Sequence, residues 1–289
     1  KLLILNLGVD SENTSLAFTQ KWINDISLNY DAVDVLTMKV GSTYQLNENV
    51  NLFFINDQNT NYTKIYQLRK LNKLTRKLIK NNNYTHCFAH MAPMQHLVAK
   101  FYLIQKNIKT TLWFTHSGPK FGIKWLILWF SSMLANNIVT ASKHSFPFRF
   151  KKVKCIGHGI NFDSFFIERK TFHLKNISIL SRVSKSKNIE NTIDNIIKCK
   201  NFENINIDVI GGTLNIDDES YLNELLIKYK NFKNINFLGK QPHAKLPELL
   251  KKYDVNINNA QKGFFDKAVL ETCAAAVSYT HLRAHETHE

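Results

Sequence analysis

The 289-residue sequence is poor in the features that would staple it or fix it across a membrane. Its four cysteines (Cys87, Cys155, Cys199 and Cys273) lie far apart, with no Cys-x2-Cys pair. That spacing excludes a disulfide framework or a zinc ribbon and predicts reduced thiols, as in a cytosolic protein. The longest apolar run, Trp125 to Phe130, falls far short of the roughly 20 residues that span a bilayer. No leader precedes the first strand-like run, so no signal peptide is expected. There is no Asp-x-Asp pair in a suitable loop and no set of zinc ligands. The scarcest feature is local: between Asp57 and Asp163 there is no carboxylate side chain at all.

That acid-free interval holds seventeen Lys and Arg residues. Residues 1–57 carry three basic and seven acidic side chains, and residues 163–289 carry eighteen and sixteen. Nearly all of the net charge of +15 therefore sits in one segment of the first half. A lysine-rich composition explains many cations but not the loss of acids over so long a stretch. Such a field attracts phosphates, anionic lipid or nucleic acid. Nucleic acid is not expected, because the aromatic residues mostly take strand or helix core positions instead of alternating with cations on one face. An anionic membrane surface is the expected macroscopic partner. The Lys64–Lys80 pattern, with Arg69, Lys70, Lys73, Arg76, Lys77 and Lys80, gives a largely cationic helix. The run Phe121–Phe130 brings two tryptophans, suited either to a headgroup boundary or to a helix packed on a sheet.

Short apolar runs alternate with amphipathic stretches, the pattern of parallel sheets wrapped by helices. Strands are expected at Leu2–Leu7, Ala32–Leu36, Asn51–Ile55, Thr85–Ala89, Thr111–Phe114, Ile138–Thr140 and Val153–Ile156. A Gly-His-Gly loop at Gly157–Gly159 interrupts the pattern. It resumes with strands at Ile177–Leu180, Ile205–Ile210, Ile235–Leu238 and Val255–Ile257, and helices at Ile189–Cys199, Ser220–Tyr229, Lys245–Lys252 and Lys267–Ala276. The fold class is therefore α/β: two Rossmann-like, doubly wound domains, residues 1–158 and 159–276, facing a cleft. Residues 277–289 turn polar where a buried strand is expected. They read as a non-native tail on an incomplete second domain, and His281, His285 and His288 as no metal site.

Three loops of the second half carry candidate chemistry. Arg182 and Lys187 lie in Ser181–Lys187, between a strand and a helix, where backbone N–H groups and two cations can meet a diphosphate. Gly211-Gly212-Thr213 follows the next strand and permits a close approach or a turn. Gly263, Phe264, Phe265 and Asp266 precede a helix in which Glu271 sits among Ala268, Val269, Leu270, Ala274 and Ala275. A carboxylate there needs exposure or hydrogen-bond donors, and ribose hydroxyls are natural donors. The acids Asp217-Asp218-Glu219 suit a helix N-terminus.

In order and spacing, Arg-x4-Lys, Gly-Gly and Gly-x2-Asp-Lys-x3-Glu resemble the donor-site motifs of family 4 glycosyltransferases, which have the two-lobed GT-B fold. Trp113-Phe114-Thr115-His116, Val139-Thr140-Ala141-Ser142 with Ser145-Phe146, and Ile156–Asn161 with Phe165 resemble the same family. The resemblance covers residues 1–276. It implies that Arg182 and Lys187 hold the donor diphosphate and Glu271 the ribose. Gly263, Phe264, Phe265 and Asp266 would line the sugar pocket, His116 would reach the donor sugar, and Gly8 would lie in an acceptor-side loop. The family's usual pair of glutamates is reduced to one, because Gly263 stands in the place of the first; Asn161 stands where aspartate is common.

The resemblance also implies a retaining transfer from a nucleotide-diphosphate sugar to a glycan or lipid-linked acceptor. No cofactor or metal would be needed, since Arg182, Lys187 and helix dipoles would meet the leaving-group charge. A cytoplasmic protein, peripheral on the inner face of the cell membrane, fits that chemistry. The rival readings are a sugar-nucleotide epimerase of the same fold and an anion-binding relative without activity. His90 and His158 read equally well as structural histidines.

Overall fold

Leu2, Leu3, Ile4 and Leu5 are all buried, which requires a strand covered on both faces. The structure, a computed structural model, describes residues 1–11, 18–43, 46–56, 62–116, 118–119, 121–168, 174–260, 266–275 and 277–281. The chain divides into two compact units, Lys1–Gly157 and His158–Glu289.

The first unit is built on seven strands: β1 (Leu2–Val9), β2 (Val33–Val40), β3 (Val50–Asn56), β4 (His86–His90), β5 (Lys109–Trp113), β6 (Asn137–Thr140) and β7 (Val153–Cys155). Their order is β3-β2-β1-β4-β5-β6-β7, every pair parallel. The connecting helices are α1 (Phe18–Ser27), α2 (Lys64–Asn81), α3 (Pro93–Gln105) and α4 (Ile123–Leu134). Alternation along β1 explains the two layers. Leu2 and Ile4 join Ile23 of α1 and its partly buried neighbours Trp22 and Ile26. Leu3 and Leu5 instead join Leu71 and Leu78 of α2, Leu103 of α3 and Leu128 of α4. The strand order reverses between β1 and β4, so Asn6 and His90 flank a topological switch point.

The second unit has β8 (Asn176–Leu180), β9 (Asn206–Ile210), β10 (Ile235–Gly239), β11 (Val255–Asn258) and β12 (Ser278–His281), in parallel order β10-β9-β8-β11-β12. Its helices are α5 (Phe162–Phe165), α6 (Ile189–Ile197), α7 (Ile216–Tyr229), α8 (Leu246–Leu250) and α9 (Lys267–Ala274). Ile177, Ile179, Ile207 and Val209 pack with Ile189 and Ile193 of α6 and Leu225 of α7. Leu180 and Ile210 pack with Phe165, Leu246, Leu250 and Ala274. The switch point here lies between β8 and β11.

Three features depart from the sequence pattern. No helix is legible over Pro93–Gln105, yet α3 is there; its buried face is Gln95, His96, Ala99, Lys100 and Leu103, three polar residues among five, which hides the apolar period. Gly8, expected in a loop beyond the first strand, lies inside β1 opposite Lys39. Third, residues 277–281 are not outside the fold. Val277 is buried with the second core, and β12 pairs with β11 through Val255–Ser278 to Asn258–His281. Ladder bonds are made by the backbone, and Tyr279 and Thr280 favour extended chain whatever the polarity of the run. Among the described residues no helix is long and apolar enough to cross a membrane.

Candidate functional site

In a parallel sheet every strand ends on the same side, so the loops after β8, β9, β10 and β11 share one edge of the second unit. After β8, the chain runs through Ser181–Ser184 into a single 3-10 turn, Lys185–Lys187. Asn188 then takes a left-handed conformation, φ 50°, and opens α6. Gly211 explains how tightly the next loop approaches. Its φ is +152°, and an added Cβ would stand 1.9 Å from the carbonyl oxygen of Ser181. Only glycine lets the β9 loop lie this close to the β8 loop.

Lys187 is nearly buried, and its ammonium donates to both carboxylate oxygens of Asp266, at 2.5 and 2.6 Å. Asn258, the last residue of β11, donates to the same carboxylate at 2.7 Å. Asp266 stands at the N-cap position of α9, without a side-chain capping bond to that helix. Nearby, Asn188 donates to the carbonyl of Asn259 at 2.9 Å, tying the start of α6 to the β11 loop. The structure therefore brings together Lys187 and Asp266, two residues expected at the site from separate motifs. Arg182 is exposed, with its Nε 3.8 Å from Oδ2 of Asp218 in the first turn of α7. Asp218 is held by the backbone N–H of Leu214 at 3.2 Å. Asn215 caps the helix by accepting from the Asp218 N–H at 2.9 Å, as the acidic start predicts.

Glu271 on α9 is 5% exposed. Its Oε1 lies 2.9 Å from Nε2 of His243, whose ring packs edge-on against Phe165 at 5.5 Å. Burial lowers the pKa of Lys267, one turn earlier, while the charge of Glu271 acts the other way. Gly263, Phe264 and Phe265 lie outside the described residues.

His116 and Gly8 belong to the first unit. His116 follows β5 by three residues, is exposed, and meets Phe114 edge-on at 6.3 Å. His90 ends β4, with its ring 4.9 Å from Trp22 and 6.4 Å from Trp113, and Nδ1 3.4 Å from Oδ1 of Asn6. Gly8 is buried, and its carbonyl accepts from the amide of Asn6 at 2.8 Å. Asn6 is fully buried at the switch point, where Gln95 also donates to its carbonyl at 3.4 Å.

Sequence reasoning did not single out His243, Asn258 or Asp218 as neighbours of these residues. Gln241-Pro242-His243, one residue beyond the Gly239 that ends β10, offered a signal: proline opens a tight turn at a strand's carboxyl end.

The loops that carry Arg182, Lys187, Asp266 and Glu271 fall in residues 165–278, which match the family described as glycosyl transferases group 1. That match covers most of the second unit, His158–Glu289. Solved structures extend the likeness over both units. The Anabaena protein Alr3699/HepE in complex with UDP has 14% identity and a TM-score of 0.70, with 96% of this chain and 79% of that one covered. Sucrose-phosphate synthase from Thermosynechococcus elongatus has 12% identity and a TM-score of 0.75, over 97% of this chain and 81% of that one. The UDP-GlcNAc 2-epimerase from Methanocaldococcus jannaschii has 12% identity and a TM-score of 0.58, over 98% and 84%. At these identities the likeness shows the fold, an α/β chain with Rossmann-like units as the sequence predicts. No curated protein sequence matches the chain.

Proposed function

We propose that the protein is a glycosyltransferase that moves a hexose from a nucleotide-diphosphate sugar to a glycan or lipid-linked acceptor, with retention of configuration. The observation that carries this reading is the match of residues 165–278 to the glycosyl transferases group 1 family over the loops that hold Arg182, Lys187, Asp266 and Glu271. In this proposal Arg182 and Lys187 receive the donor diphosphate, sharing their charge with Asp218 and Asp266 until the ligand arrives. Glu271 accepts from the ribose hydroxyls. Gly263, Phe264, Phe265 and Asp266 border the sugar, and His116 of the first unit serves the anomeric centre. The leaving diphosphate is stabilised by cations and backbone N–H groups, without a metal or cofactor.

Support for a nucleotide-sugar donor comes from Alr3699/HepE, a protein of similar fold described in complex with UDP and with UDP-glucose. An acceptor presented at an anionic lipid surface accords with the acid-free cationic segment, and with a place on the cytoplasmic face of the membrane. The role lies in cell-envelope polysaccharide synthesis.

Incubation of the protein with UDP- and GDP-sugars, with and without glycan and lipid-linked acceptors, tests the reading. The expected result is acceptor-dependent release of nucleotide in the presence of EDTA, with the product's anomeric configuration that of the donor by NMR. His116→Ala should lower turnover far more than nucleotide affinity. Release of a free epimer without any acceptor would establish the epimerase reading instead.

A further inference from the structure

One concavity of the first unit lies on the helical layer formed by α2, α3 and α4, away from the carboxyl ends of the strands. It is a groove of about 470 Å³ lined by Arg76, Ile79 and Lys80 of α2 and by Phe101, Gln105 and Lys106 at the end of α3. Tyr102, also in the lining, is anchored by donating to Asn72 at 2.9 Å. Three cations and two aromatic rings thus surround one opening, and the sequence has no carboxylate between Asp57 and Asp163 to neutralise them.

The surroundings extend this character. Arg69, Lys73, Arg76, Lys77 and Lys80 are all exposed on α2, and none has an ion pair among the described residues. Arg69, Lys73, Arg76 and Lys80 follow each other at steps of four, three and four, so they form one stripe along the helix. Beside it, α3 exposes Phe101 (65%) and Ile104 (59%). On α4, Ile123, Leu126, Phe130 and Met133 are exposed at steps of three, four and three, a second stripe, which is apolar. The helices touch in the order α2, α3, α4, so cations and apolar side chains lie side by side on one layer.

We infer that this layer docks on an anionic phospholipid bilayer, with a headgroup phosphate seated in the α2–α3 groove and the apolar residues of α3 and α4 entering the interface. A cationic stripe beside exposed aliphatic side chains is what an interfacial, non-spanning contact requires. Nucleic acid fits less well, because Ile104, Ile123, Leu126 and Met133 have no partner among bases or phosphates and would stay in water. This deepens the membrane part of the proposed function. Vesicle binding is read without any transfer reaction, so each can fail while the other stands.

The test is cosedimentation of the full chain with phosphatidylglycerol–phosphatidylcholine vesicles and with pure phosphatidylcholine, at low and high salt. Binding should require the anionic lipid and weaken with salt. The triple variant Arg76→Gln, Lys80→Gln, Lys106→Gln should partition about a hundredfold less, since each lost cation near the surface counts for roughly one factor of five. Arg76→Gln alone, about fivefold weaker on the same basis, carries the test should the triple variant fail to fold. Phe101→Ser with Ile104→Ser should remove the binding that survives high salt. Equal binding to neutral vesicles, an unchanged triple variant, or displacement of the protein from vesicles by duplex DNA would each overturn the inference, the last in favour of nucleic acid.

Discussion

The ammonium of Lys187 and the carboxylate of Asp266 meet at 2.5 and 2.6 Å across 79 positions of sequence, joining the mouth of β8 to the start of α9. Their side chains are only 8% and 19% exposed. A donor diphosphate that uses Lys187 must therefore compete with Asp266 for the same charge. Lys187→Ala should weaken UDP binding by about 1.5–3 kcal/mol, the worth of a charge-assisted contact. It should also lower stability, because among the described residues Asp266 then keeps Asn258 alone as a side-chain donor. Asp266→Asn should act in the opposite direction on nucleotide, tightening UDP by releasing the ammonium. Calorimetric titration of both variants decides this. Weaker UDP binding in Asp266→Asn would show that the pair positions Lys187 for the ligand and does not compete with it.

Glu271 is buried with His243 as its side-chain partner. Removing the carboxylate leaves a polar hole in α9 and takes the expected ribose acceptor away. Glu271→Gln keeps an acceptor oxygen for His243 and should cost little stability, yet weaken UDP by about 1 kcal/mol or more. His243→Ala should cost stability although that side chain is more than half exposed, because it takes this partner from the buried Glu271 carboxylate. If Glu271→Gln binds UDP as the parent protein does while discriminating no less between ribo- and deoxyribonucleotide, the ribose role is lost.

Gly211 supplies a test of the loop geometry that needs no ligand. Any side chain there meets the Ser181 carbonyl and is held at φ +152°. Strain at such positions is of order 1–3 kcal/mol, and the backbone clash adds to it. Gly211→Ala should therefore lower the urea midpoint clearly and disturb the Arg182 loop. Gly122→Ala carries a positive φ with open space around it, and should show the strain alone. Equal losses for the two variants would mean that contact with Ser181 is unimportant.

The sequence made most strands legible because β1 and its neighbours are covered on both faces, so burial leaves continuous apolar runs. α3 was illegible for a reason visible in its contacts: His96 and Lys100 point inward and find hydroxyl partners, which no periodicity of apolar residues reveals. The site divides in the same way. Arg182, Lys187, Asp266 and Glu271 stand in short motifs tied to strand ends, and order and spacing suffice to single them out as candidates. Asp218 and His243 meet Arg182 and Glu271 through contacts between separate loops. A helix start and a proline turn mark their positions but not their partners.

His96 sets the last expectation, and its sign follows from its surroundings. The ring is completely buried between Oγ of Ser131 at 2.8 Å and Oγ1 of Thr110 at 3.1 Å, which serve a neutral imidazole with one donor and one acceptor. Burial, with Lys100 and Lys152 nearby, pushes its pKa down to about 3. Lys152 itself is held by the carbonyls of Met133 and Ala135 at the end of α4, and the acid-free segment offers no carboxylate to stabilise an imidazolium. The folded pKa lies below the unfolded value of about 6.5, so the unfolded chain takes up the proton first. Stability is fully present above about pH 6.5 and is lost as pH falls towards 3, at up to roughly 1.4 kcal/mol per pH unit. His86, lowered by burial and by Lys109, adds a loss of the same sign. Urea unfolding between pH 7 and 5, above the range where carboxylates dominate, isolates the histidine contribution. His96→Gln should be less stable at pH 7, because the amide replaces the ring imperfectly, but its stability should fall less steeply over that window. Parallel pH curves for the two proteins would show that His96 is not the group that titrates.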